Sequence, residues 1–475
     1  MNTFTTASRK NDHAICWFRR DLRIDDHAAL HHALLHHSAV HGVFVFDTEI
    51  LDKLSCRTDL RVEFIWYAIQ ELAGEWRKLG AHFTVLHGRA CDEIPRFAHQ
   101  IGAQAVYCNR DDDPVALQRD NSVAQALYSL GIAWHQFKDQ VIFERNEVVT
   151  VQNRPYTVFT PYRTAWLRKL TPQDLQPHET RPHLSRLARG ITAPLPSLSS
   201  LGFEATSLTR LPIPLGSSGA EKLLTDFSRR MTAYKTTRDY PAIKGVSYLS
   251  AHLRFGTISI RRVGAMARSM TGEGPETFLT ELIWRDFYQM ILYHRPDLAQ
   301  GRCYNPRFDA LIYPGSTTDF ELWCQAHTGY PLIDAAMRQL HQTGYMHNRL
   351  RMITASFLVK DLQVDWRWGE RHFANHLLDY DLASNNGGWQ WCASTGCDAQ
   401  PWFRLFNPVT QSERFDPEGK FIRRYVPELA HCPLHWIHAP WRMPEADRDR
   451  YPIEYWPPMV DHGRARIQTL ALYRA

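Results

Sequence analysis

Nothing in this 475-residue chain approaches the run of roughly 18 apolar residues that a bilayer-spanning helix needs. That absence argues against a membrane protein, and the first ten residues hold no apolar stretch that would serve as a secretory signal. The nine cysteines, at positions 16, 56, 91, 108, 303, 324, 392, 397 and 432, form no CxxC pair and no zinc-type spacing. An odd, scattered set implies reduced thiols and a cytoplasmic protein, not a disulfide framework. Net charge is only +5, which permits a local basic patch for nucleic acid without demanding one. There is no internal repeat, no low-complexity segment and no GxGxxG after the first apolar run, so the ordinary dinucleotide fingerprint is missing. His31, His32, His36 and His37 sit at helical spacing without cysteine or carboxylate partners. They read as a solvated helix face, and no metal site is expected.

What the chain does have is aromatic residues: fifteen tryptophans, and 12% Phe, Trp and Tyr together. Such content suits stacking, electron transfer or large aromatic cores. The length allows two domains, each able to bury its own core. Over the first 144 residues, short apolar runs (14–18, 43–46, 83–86, 105–108) alternate with helical patterns (28–37, 60–79, 115–130). This alternation predicts a doubly wound parallel α/β sheet. Residues 145–219, including Pro- and Ser-rich sequence such as Ala193-Pro-Leu-Pro196, read as a long linker over the surface. From 220 to 475 helical periodicity dominates and β-branched runs are scarce, so an all-helical domain is expected.

The most informative stretch runs from Asp379 to Trp391, with two carboxylates, three amides, two glycines and two indoles in thirteen residues. Buried acids and amides are costly without partners, so the mixture suits a pocket for a flat aromatic ligand with polar edges. If its end is helical, Trp389 and Trp391 lie about 200° apart around the axis and face different environments. Glu281, Trp284 and Arg285 lie at i, i+3 and i+4, and Asn348, Arg351 and Met352 repeat that spacing. Each set therefore falls on one helix face; a Glu–Arg pair alone would be an ordinary surface ion pair.

These segments resemble, in order, the DNA photolyase/cryptochrome family: Trp17-Phe-Arg-Arg20-Asp-Leu-Arg23, Glu281–Tyr288, Thr328–Arg338, Met346–Met352 and Asp379–Gly396. The resemblance covers nearly the whole chain and is densest from Met231 to Leu429. It implies an antenna-chromophore domain followed by a helical domain binding FAD and the DNA lesion. Family positions for the flavin match Tyr234, Ser247, Tyr248, Leu249, Ser250, Arg285, Asn348, Arg351, Asp379 and Asp381, with Asn385 opposite the ring nitrogen that changes protonation. A neutral amide there can meet both donor and acceptor states. Val246 stands where the family often has threonine, which removes one hydroxyl contact to phosphate.

The resemblance further implies that Glu281 hydrogen-bonds the damaged bases, that Trp284 and Trp391 enclose them, and that Met352 packs against them. Arg238, Arg349 and Arg404 are the implied DNA contacts, with Lys235 nearby; such phosphate contacts are sequence-independent and salt-sensitive. An electron chain of three aromatic residues is implied, through Trp389 and Trp366 to Tyr313, with Trp323 as an alternative terminus. The expected activity is light-driven splitting of cyclobutane pyrimidine dimers in DNA by a monomer. Two other readings stay open: repair of (6-4) photoproducts, where the family has a histidine near Met352, and a cryptochrome-type photoreceptor. Asn385, and a chain that stops at Ala475 without a long polar tail, count against the photoreceptor. A second chromophore, folate or deazaflavin, is expected near Asn109–Pro114, the end of a strand in an open parallel sheet, although His27 replaces a common asparagine there.

Overall fold

A computed structural model describes residues 12–190 and 194–474. The first ten residues, and Ala193 of the Pro-rich stretch, lie outside the described residues. The chain resolves into two compact units. The first comprises Met1–Glu144, Leu170–Asp226 and Leu249–Ser269; the second comprises Arg145–Lys169, Phe227–Tyr248 and Met270–Ala475.

The first unit is a five-stranded parallel sheet: β1 (His13–Phe18), β2 (Ala39–Asp47), β3 (Phe83–Gly88), β4 (Ala105–Asn109) and β5 (Ala133–Phe137). The strand order is β3-β2-β1-β4-β5. Its principal connecting helices are α1 (Ala28–His36), α2 (Leu60–Lys78), α3 (Ala90–Gln100) and α4 (Pro114–Ser129). β1 and β4 are almost wholly buried, as parallel strands covered on both faces must be, which is why they read as unbroken apolar runs. β5 is half-exposed at the sheet edge, and its polar sequence AWHQF hid it from pattern reading. α3 was hidden by Pro95 within the helix. Gly42 is needed where α2 meets the sheet, since a Cβ there would come within 2.6 Å of the Trp76 and Phe83 rings.

The histidines at α1 meet the expectation of a solvated face only in part: His36 is exposed, whereas His31, His32 and His37 are half-buried. His32 stacks on Phe137 at 4.2 Å, His31 Nδ1 lies 2.7 Å from the Glu179 carbonyl, and His37 bridges Asp12 (2.7 Å) and Tyr107 (3.0 Å). β5 and the segment around residue 179 cover this face, which neighbours in sequence do not reveal.

The second unit is helical. Its elements around the site are α5 (Phe159–Lys169), α6 (Glu273–His294), α7 (Pro331–Thr343), α8 (Asn348–Ser356), α9 (Trp366–His376) and α10 (Leu382–Ala393). Side chains cap the last three: His347 accepts from Arg349 N at 3.2 Å, Asp365 from Arg367 N at 3.0 Å, and Asp381 from Ser384 N at 3.1 Å. A common core runs through Ile333, Leu350, Ile353, Phe357, Trp366, Phe373 and Trp389. α5 is anchored to α6 by a hydrogen bond from Trp166 Nε1 to Asp286 Oδ2 at 3.0 Å.

Candidate active site

A cavity of about 380 Å³ opens between α6, α8, α9 and α10. α6 supplies Glu281, Trp284, Arg285 and Tyr288; α8 supplies Asn348, Arg351 and Met352. The helical spacing of each set turns all of its members to one side. Asp379, Asp381, Asn385, Gly388, Trp389 and Trp391 line the opposite wall, and Arg238 joins at the rim. Trp389 and Trp391 diverge as their spacing requires: Trp389 is buried among Phe373 and Trp323, whereas Trp391 is only half-buried.

The two glycines of the run divide the work. A Cβ on Gly387 would fall 2.3 Å from the Tyr288 ring, so Gly387 permits the approach of α10 to α6. A Cβ on Gly388 would meet nothing within 4 Å, so this position opens the wall for a ligand.

The polar groups of the cavity are tightly placed. Arg351 donates through Nη2 to both oxygens of Asp379, at 3.0 and 2.8 Å, and through Nε to the Met346 carbonyl at 2.8 Å. Asp381 accepts from Gln289 Nε2 at 3.3 and 3.2 Å while capping α10. Asn385 donates through Nδ2 to the Glu370 carbonyl (3.1 Å) and carboxylate (2.8 Å). With Nδ2 engaged by Glu370, the other end of the amide, Oδ1, can only accept. Burial pushes the Glu370 carboxyl above the usual range, against the Asn385 hydrogen bond. Burial likewise raises the Glu281 carboxyl, opposed by Arg238, whose Nη1 donates to Glu281 Oε1.

Trp284 stacks on Phe159, with ring centroids 3.6 Å apart and planes 6° apart. One face of the indole is thus taken by α5, and the ring is held flat against it. Sequence reasoning missed Phe159, Gln289 and Glu370. Gln289 lies two helical turns beyond Glu281 on the same stripe, a signal that could have found it; Phe159 and Glu370 carry none.

Not every expected residue reaches the cavity. Arg349 pairs with Asp239 at 2.9 Å and lies over the Phe415 ring at 4.6 Å. Arg404 is exposed. Lys235 forms an exposed ion pair with Glu273 at 2.5 Å. Tyr234 is buried beside Arg238, and Ser247 and Tyr248 belong to the same unit, with Tyr248 in the left-handed region at φ +58°. Leu249 and Ser250 fall in the other unit, and none of these five lines the cavity. Trp366 and Tyr313 pack in the core behind it, where burial holds the Tyr313 phenol well above its usual value.

In the first unit, the switch point between β1 and β4 is occupied by its own side chains. Asn109 donates to Asp21 Oδ2 at 2.7 Å and accepts from Ala29 N at 3.0 Å, and Arg20 pairs with Asp111 at 3.0 Å. His27 caps α1 by accepting from Leu30 N at 3.0 Å.

Residues 14–182 match the family model for DNA photolyase, and residues 278–475 match the model for the FAD binding domain of DNA photolyase. A deoxyribodipyrimidine photo-lyase of Vibrio cholerae is 39% identical over 472 residues, covering 97% of this chain and 99% of that one. The crystal structure of a class III photolyase from Agrobacterium tumefaciens superposes with a TM-score of 0.90 at 33% identity, covering 99% of both chains. An archaeal photolyase from Sulfolobus tokodaii, solved with two FAD molecules, superposes with a TM-score of 0.81 at 33% identity, covering 97% of this chain and 99% of that one.

The second matched segment contains nearly all of the cavity wall, and its donor set fits a flavin ring. Asp381 and Asn385 Oδ1 offer acceptors to ring N–H edges, Arg351 offers positive charge held by Asp379, and Gly388 leaves room for the ring. The volume lies within the usual range for small-molecule sites.

Proposed function

Because this chain belongs to the DNA photolyase family, we propose that it splits cyclobutane pyrimidine dimers in DNA with light, using FAD. One observation carries the reading: the residues suited to a flavin ring and those suited to a pair of damaged neighbouring bases line the same cavity. FAD held by these residues would supply, when reduced and lit, the one-electron chemistry that opens the dimer without net redox change.

Everything else is the work of the protein. Trp284, backed by Phe159, offers its free face to an extruded base, and Trp391 bounds the other side. Extruding the target bases from the duplex is general to photolyases and other base-flipping enzymes. Glu281 has one oxygen held by Arg238, which leaves the other for a base edge. Met352 fills the apolar space beside it. Arg351, Asp379 and Gln289 hold the flavin-facing acceptors in place before the ligand arrives, so no reorganisation is needed during the reaction. Arg238, Arg349 and exposed Arg404 serve the DNA backbone.

All lining residues come from one unit of one chain, which supports a monomer as the working form. All nine cysteines are free and no described helix is long and apolar enough to cross a membrane, which support action in the cytoplasm. The first unit serves as antenna domain; absorption beyond the flavin bands distinguishes folate, deazaflavin and a second flavin there.

The test is repair itself. Protein with chemically reduced flavin should restore paired thymines in dimer-containing DNA under blue light and do nothing in darkness. Repair without light, or none with fully reduced flavin, overturns the reading.

A further inference from the structure

Away from the cavity, α7 and α9 bring three histidines together: His341, His372 and His376. His372 and His376 are neighbours at i, i+4 on α9, and His341 reaches them from α7. One ring nitrogen from each lies within 4.8 Å of the other two. His341 Nε2 and His372 Nε2 are 3.3 Å apart. Two nitrogens each bound to a tetrahedral zinc ion at its usual distance stand about 3.3–3.4 Å apart.

The surrounding hydrogen bonds set the rings for this task. His376 Nδ1 lies 2.8 Å from the backbone carbonyl of His372. A carbonyl only accepts, so Nδ1 carries the proton and Nε2 keeps its lone pair. His372 Nδ1 is 3.4 Å from Cys324 Sγ, which leaves its Nε2 facing His341. Metal-binding histidines use their second nitrogen in this manner. His372 is half-buried and the other two are exposed, so an ion can enter from solvent and a water molecule can complete its shell.

We propose that His341, His372 and His376 form a three-histidine site for a borderline divalent cation, Zn²⁺ foremost, with water as the fourth ligand. Imidazole nitrogens favour Zn²⁺, Cu²⁺ and Ni²⁺ over Mg²⁺ and Ca²⁺. An ion here would tie α7 to the end of α9, the helix that also carries Trp366, the Asn385 partner Glu370 and the cavity residue Phe373. None of the three histidines lines the cavity.

The experiment uses tag-free, flavin-loaded full chain equilibrated with micromolar Zn²⁺, followed by metal analysis. Other histidines, such as the His31–His178 pair in the first unit, can take up zinc, so the readout is the difference between wild type and variants. Wild type should hold one zinc ion more per chain than His372→Ala, and His376→Gln should bind that ion about tenfold more weakly or worse. Co²⁺ in its place should give the strong visible bands of a four-coordinate ion in wild type and lose them in both variants. Zinc should raise the melting temperature of wild type but not of the variants. Because His376 is exposed, His376→Gln keeps the test valid if His372→Ala loses its flavin. Equal zinc content in wild type and His376→Gln, or no uptake by wild type, overturns the site; a melting temperature indifferent to zinc overturns it as well.

Discussion

Phe159 lies face to face with Trp284, the two rings 3.6 Å apart, so this cavity-lining indole is held in place before any ligand arrives. Trp284→Ala should weaken binding to dimer-containing DNA by about 1–3 kcal/mol, the range for base–aromatic stacking. Phe159→Ala leaves the indole present but mobile, and should cost about 0.5–1.5 kcal/mol, the worth of an aromatic pair. The double variant should lose less than the sum, because Phe159 acts through Trp284. Flavin content should stay normal in all three. DNA-binding titrations check the energies; flavin loss in Trp284→Ala would return the residue to a purely structural role.

The Arg351–Asp379 pair makes a second prediction. Asp379 is buried, and its removal strands a guanidinium that is one-quarter exposed. Asp379→Asn should weaken flavin retention by about 1.5–3 kcal/mol, the value of a charge-assisted hydrogen bond. Flavin absorbance per chain after dialysis measures it.

Lys360 makes a pH prediction. It is fully buried, donating to Ser394 Oγ at 2.9 Å and to the Arg404 carbonyl at 3.0 Å, and burial lowers it to about 8 from a model-peptide value of 10.5. A depressed amine favours the folded state fully only above its unfolded pKa, and that contribution is lost as pH falls through the folded value. Stability should therefore drop by on the order of 3 kcal/mol between pH 10.5 and 8 on account of this group. Lys360→Met should remove that slope, seen as a stability difference between the two proteins that changes with pH. It should also loosen the segment carrying Arg404 and reduce DNA affinity at low salt.

The electron chain is predicted from ring geometry. Trp389 at the cavity meets Trp323 at 6.2 Å; Trp323 stacks on Phe320 at 6.0 Å, and Phe320 meets Trp368 at 5.5 Å, which is 36% exposed. Trp323→Phe should slow light-driven reduction of oxidised flavin more than Tyr313→Phe does. Repair with chemically reduced flavin should be unchanged in both, because the dimer is fed from the ring and not from the chain. Transient absorption decides: a tyrosyl radical in wild type that vanishes in Tyr313→Phe would place the exit at Tyr313 instead.

Periodicity alone marked two faces of the cavity wall. Glu281, Trp284 and Arg285, and then Asn348, Arg351 and Met352, share helix faces because spacing of three and four residues leaves no other choice. The parallel sheet was equally legible wherever burial on both faces forced an apolar run, and failed at β5 and α3, where edge exposure and Pro95 broke the pattern. Local pattern reports how each segment is buried and not which distant segment buries it. Only the tertiary structure therefore decided that Phe159 backs Trp284, that Glu370 fixes the amide of Asn385, and that His341 meets His372 and His376. Those pairings join helices whose separate sequences carry no mark of one another, because close packing in three dimensions selects the partner.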